Sequence, residues 1–155
     1  MQSPRVAVSV PSSAPRLAAL ALLALLAGCA APPKPRPTGP APRLYAIDLQ
    51  GAAKFCKVAP VKPQADKTVA ATMTVGNDRG WCAITVHRTE SGAAEPYAAG
   101  LLTARAEHGR VYIHTVGADT RIDYTPVAGY AGPDQFTVSL LPDGAAIQVS
   151  VTVQR

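Results

Sequence analysis

The stretch IDYTPVAGYAGPDQFTV, residues 122–138, decides the fold. Ile122 and Tyr124 lie two apart, so in an extended chain they share a face. Tyr124 can place its ring in a core and keep its hydroxyl at the rim. Pro126 has no amide proton for a central ladder, so a strand ending there is expected. Gly129 and Gly132 then allow backbone angles that residues carrying a Cβ avoid. Asp134 is suited to close a turn onto nearby amides, and Phe136 and Val138 start a second strand facing inward. The stretch therefore reads as strand, tight connection, strand.

The same two-residue period extends outward from it. Val69, Ala71, Met73 and Val75 share one face of TVAATMTV (68–75), and the threonines take the other. GNDRG (76–80) is a glycine-bounded turn, followed by WCAITVHR (81–88) with Cys82, Ile84 and Val86 on one side. Further strands are expected at 96–106, 110–116, 120–126, 134–141 and 145–153, with Ile147, Val149, Val151 and Val153 at strict alternation. Turn residues at 107–109, 117–119 and 142–144 separate the later runs. Short alternating runs punctuated every eight to twelve residues point to an antiparallel β-sandwich or barrel. Residues 43–57 are the least definite: Tyr45, Ile47 and Leu49 alternate as in a strand, 52–57 is compatible with a helical turn, and the conformation of 44–67 stays open.

The segment from Tyr124 to Val138 is similar to the signature of bacterial immunoglobulin-like and cadherin-like domains: Tyr-x-Pro, glycine-aromatic, then x-Gly-x-Asp-x-Phe leading into a strand. With the preceding GRVYIHTV and the final strand, the resemblance covers about 100–153. It implies an all-β, Ig-like antiparallel β-sandwich and carries no activity with it. Cadherin-type calcium sites use acidic clusters at domain junctions, and no such cluster is visible. Asp119, Asp123 and Asp134 are explained equally well by their turns.

Charge separates the chain into regions. The 155 residues carry 15 basic and 10 acidic groups, a formal +5. Arg5, Arg16, Lys34, Arg36 and Arg43 account for that excess, and residues 44–155 hold ten charges of each sign. The folding part thus offers no electrostatic reason to expect nucleic acid. Arg5 and Arg16 precede the apolar run Leu17–Leu26, too short to span a bilayer and followed by small residues, as in a secretory signal. Leu26-Ala27-Gly28-Cys29 resembles a bacterial lipobox. The resemblance implies cleavage after residue 28, lipidation of Cys29 with fatty acids such as palmitate, and membrane attachment through that lipid. Ala30, in place of an aspartate, favours the outer membrane facing the periplasm. Residues 31–43 (APPKPRPTGPAPR) hold six prolines in thirteen positions and no acid. Such a segment favours an extended polyproline II stalk of roughly 40 Å. The expected organisation is a signal peptide at 1–28, a lipidated cysteine and linker at 29–43, and a sandwich domain at 44–155.

With Cys29 assigned to lipid, Cys56 and Cys82 remain as one expected disulfide in an oxidising compartment. His87, His108 and His114 match no short zinc spacing, and neither a metal nor any other cofactor is expected. Serine elbows, HExxH, Walker and dinucleotide motifs do not occur, so no catalytic residue is assigned. His114, beside Tyr112 on a strand, is read as part of a solvated face. Trp81, Tyr97, Tyr112 and Tyr130 suggest an aromatic platform for a sugar or protein. For Trp81 the competing reading is packing over the disulfide. The functional expectation is a non-enzymatic envelope module that binds a protein or organises an assembly. A small periplasmic inhibitor or glycan-binding lipoprotein is the alternative, with an envelope protein or peptidoglycan as the partner in view.

Overall fold

The computed structural model describes residues 44–155 of the chain. The signal sequence, Cys29 and the proline-rich linker lie outside the described residues. The domain opens with a single helical turn, α1 (Ala46–Gln50). Ten strands follow: β1 (Cys56–Val58), β2 (Thr68–Gly76), β3 (Cys82–Val86), β4 (Arg88–Glu90), β5 (Ala93–Glu95), β6 (Ala99–Ala104), β7 (Gly109–Val116), β8 (Asp119–Pro126), β9 (Gly132–Leu141) and β10 (Ala145–Gln154).

They form a five-stranded sheet in the order β1-β2-β10-β9-β6, a three-stranded sheet β3-β8-β7, and a separate hairpin β4-β5. The main strands follow the constant-type immunoglobulin scheme. β3, β8 and β7 stand where B, E and D do, and β6, β9 and β10 where C, F and G do. The fold is an all-β, Ig-like sandwich. One pair departs from antiparallel order: β2 runs parallel to β10 over nine register positions, from Thr68 beside Ala146 to Gly76 beside Gln154. The chain reaches β10 from β2 only after passing through the other sheet, so a parallel neighbour is available that no hairpin could supply.

Alternation dictates which side chains meet between the sheets. Met73, Val75, Phe136, Val138, Leu140, Ile147, Val149 and Val151 come from one sheet, and Cys82, Ile84, Val86, Ile122 and Tyr124 from the other. The Tyr124 and Phe136 rings stack in parallel, 5.8 Å between centroids. Burying a large apolar side chain contributes about 1.5–3 kcal/mol, and this interior holds more than a dozen. Cys56 and Cys82 form a disulfide with a Cα separation of 5.3 Å. It joins β1, at one margin of the five-stranded sheet, to β3, at one margin of the other.

Three expectations are corrected here. Residues 46–50 form a helix rather than a strand, because the Asp48 carboxylate turns back to accept the Tyr45 amide at 3.1 Å. The 52–57 segment is not a helical turn: Ala52 bridges to Trp81, and Cys56 begins β1. Gly80 permits that close approach, since a Cβ there would stand 2.2 Å from the Ala53 nitrogen. Finally, the 81–88 run stops at Val86, and an exposed hairpin occupies 88–95.

Candidate functional site

The outer face of the three-stranded sheet carries a cluster of charged side chains that pair with one another. On β8, Ile122 and Tyr124 face the core, so Arg121, Asp123 and Thr125 face outward. On β7, Val111 and Ile113 pack inward, leaving Arg110, Tyr112 and His114 outside. The cross-strand register puts His114 beside Arg121, Tyr112 beside Asp123 and Arg110 beside Thr125.

Some of these residues are withdrawn from solvent, because α1 lies over part of the face. Asp123 is 1 % and His114 8 % exposed. His114 Nε2 stands 2.9 Å from Asp123 Oδ2. A carboxylate only accepts, so Nε2 carries the proton of this bond. Arg121 Nε donates to Asp123 Oδ1 at 2.9 Å, and its terminal nitrogen donates to Asp48 on α1. The Tyr45 ring meets His114 edge-on at 4.4 Å. The reading of His114 as part of a solvated face is thus overturned: a hydrogen bond to Asp123 and a lid of α1 residues remove it from water.

The charges respond to that packing. The Arg121 hydrogen bond, then the Tyr45 amide, hold the Asp48 carboxyl below its usual 3.8. Burial favours the uncharged form of Arg121, but hydrogen bonds to Asp123 and Asp48 outweigh it and raise the guanidinium. The Arg121 guanidinium carbon also sits 4.2 Å from the centroid of the Trp81 ring, a cation–π contact. The network is a clasp that holds α1 against the sandwich.

A second polar knot lies at the end of the quoted stretch. Asp134 accepts the Tyr124 hydroxyl at 2.8 Å and the amides of Glu107, His108 and Gln135 at 2.9–3.0 Å. Burial disfavours its charge, yet the hydroxyl and three amides outweigh that and hold the carboxyl below 3.8. Burial, with the Asp134 charge, pushes the Tyr124 hydroxyl up. Next to this knot the His108 and Tyr130 rings stack 4.0 Å apart. Asp119 pairs with His87 at 2.9 Å. Among the described residues no group of three His, Cys, Asp or Glu is placed to hold a metal.

The expected aromatic platform does not assemble. Tyr97 is 6 % exposed and belongs to the core; its amide donates to Thr120 Oγ1 at 2.9 Å. Trp81 is half-buried beneath Arg121. Tyr130 is half-buried against His108, so of the four expected residues only Tyr112, 43 % exposed, offers an open ring. It borders a groove between α1 and the β7–β8 strands, two adjoining hollows of about 440 and 320 Å³ that share Gln50, Arg110 and Thr125. Arg79 and Val127 complete its far end. Apart from Tyr112, sequence reasoning missed this groove.

A scan against protein-family models and a search of the curated proteins both return no match for this chain.

Proposed function

We propose that the chain is a non-enzymatic lipoprotein, anchored through Cys29 in the outer membrane, whose Ig-like domain binds a periplasmic protein or organises an envelope assembly. The anchor rests on Leu26-Ala27-Gly28-Cys29 at the end of the apolar run. The observation that carries the binding mode is the β6 edge. Among the described strands, β6 pairs only with β9, and its sequence AGLLTA contains no charge. Leu101 is 50 % exposed there, and Leu141 lies beside the same edge. Edge strands are usually guarded by charge or proline; here the register shift between Leu102 and Ala104 is the one irregularity. An uncharged edge with an apolar side chain fits strand addition by an extended segment of a partner. The Asp123 and Asp134 clusters hold elements together in this reading, and contact rather than chemistry is the domain's work.

Two measurements test it together. A radiolabelled fatty acid should mark the wild-type protein and not Cys29→Ser; label on the variant would overturn the anchor. A photo-crosslinking residue at position 101 should give discrete adducts in cells, reduced by a Leu102→Pro change in the same strand. Adducts that persist in that variant would remove strand addition. The exposed β4–β5 hairpin favours a second reading, a small inhibitor or peptidoglycan-binding lipoprotein, in which residues 88–95 enter a partner's cleft or meet a glycan. Crosslinks that concentrate at Thr89 instead of Leu101 would favour it.

A further inference from the structure

The groove beside α1 has a definite chemical character. Its lining includes two arginines, Arg79 and Arg110, and no carboxylate. Among the described residues neither arginine forms an ion pair, whereas Arg88 and Arg121 both do. Thr125, lying beside Arg110 across the strands, has a buried hydroxyl that finds no partner among the described residues. Tyr112 and Val127 give the opening an apolar border.

Arg79 is also held in a conformation that non-glycine residues avoid, φ 75°. The turn around it is pinned at several points. The Gln50 side-chain amide donates to the Arg79 carbonyl. Asp78 accepts the Gly80 amide at 3.0 Å and the Lys54 amide at 2.8 Å, and these bonds hold its carboxyl below 3.8. A glycine at position 79 would take the same turn without strain, so the turn itself gives no reason for an arginine there.

We propose that this groove is a binding site for a small oxyanion, a carboxylate or phosphate on a compact and partly apolar body. The anionic group sits between Arg79 and Arg110 near the Thr125 hydroxyl, and the body rests on Tyr112 and Val127. Forked guanidinium donors match carboxylate and phosphate geometry, and the combined hollow is of ordinary size for a small-molecule site. The proposal is independent of strand addition at β6, which lies on the other sheet, so either can fail while the other stands.

The test is a nuclear magnetic resonance titration of the full-length protein in non-ionic detergent, with three probes. Glucuronate supplies a carboxylate on a sugar ring, glycerol phosphate represents a lipid headgroup, and glucose is the neutral control. At least one anion should give saturable shifts at Tyr112 and Thr125, with glucose giving none. Whichever anion binds more tightly identifies the source, acidic saccharide or phosphate. Arg110→Gln and Arg79→Gly should each weaken binding about tenfold. Arg79→Gly should also melt no lower than wild type, which separates lost binding from lost structure. The proposal is overturned if no anion saturates below about 20 mM, a weaker affinity than a two-arginine site supplies. Equal binding of glucose, or unchanged affinity in both variants, overturns it too.

Discussion

At Asp134 one carboxylate accepts a hydroxyl and three backbone amides. Asn in its place keeps the size but turns one acceptor into a donor facing donors. Losing two charge-assisted bonds in a buried site should cost about 3 kcal/mol, against about 1 kcal/mol for Tyr124→Phe, which removes one partner. Urea titration of both variants checks the ratio. The pH dependence has a definite sign. Because the folded carboxyl ionises below 3.8, the unfolded chain binds the extra proton in the interval beneath that value. Stability is therefore complete above 3.8 and falls as pH drops through the interval. Asp134→Asn should be less stable at neutral pH and lose less on acidification. A parallel acid loss in variant and wild type would rule out Asp134 as a source. Tyr124 acts at the opposite end: its raised hydroxyl makes stability decline as pH climbs above 10.

At the scale of elements, α1 is one helical turn, far below the length at which a helix is stable alone. It persists because Asp48 caps Tyr45 and receives Arg121. Asp48→Asn should speed amide exchange across residues 46–53 and leave the β10 amides at wild-type rates. Equal acceleration in β10 would mean that α1 is integral to the sandwich. The same physics governs what the sequence disclosed. β2, β3 and β6–β10 were legible because each buries one face, and a buried face writes a period of two into the residues. Three elements had no such imprint. β1 is three residues with no fully buried side chain, and β4 and β5 expose nearly every position. α1 carried a misleading imprint: Tyr45, Ile47 and Leu49 alternate, but a contact 73 residues away, Asp48 with Arg121, sets the backbone. Tyr97 was misplaced for a related reason. An aromatic residue beside a turn reads alike whether it points in or out; in the fold Tyr97 packs into the core and its amide bonds to Thr120.

For the whole molecule, the disulfide and the core hold different parts of the sandwich together. Cys56 and Cys82 lie 26 positions apart, and the chain between them includes all of β2. In the chain-entropy account, closing such a loop stabilises the fold by about 3 kcal/mol. Replacing both cysteines with serine should lower stability by about that amount in chemical unfolding and leave the strand content intact by far-ultraviolet circular dichroism. A loss of strand signal in native buffer would show that the interior alone is insufficient. The groove residues were hard to see in sequence for a reason at this same scale. Gln50, Arg79, Arg110 and Thr125 are brought together only when β7, β8, the turn before β3 and α1 have all docked.

The parallel pairing of β2 with β10 has a mechanical consequence. Tension applied between the two ends of the domain pulls β2 toward Thr68 and β10 toward Gln154, so nine register positions resist in shear at once instead of opening one by one like a zip. With the disulfide closed, tension entering at Cys56 has a second route, across sulfur to Cys82 and β3, and the enclosed segment cannot be drawn out. Single-molecule stretching should therefore release about 90 Å more chain once the bond is reduced, the extended length of 26 residues. Equal extension in both states would show that the bond lies outside the path of the force. A thiol reagent acting on one covalent link thus moves the mechanical clamp of this sandwich from one sheet to the other.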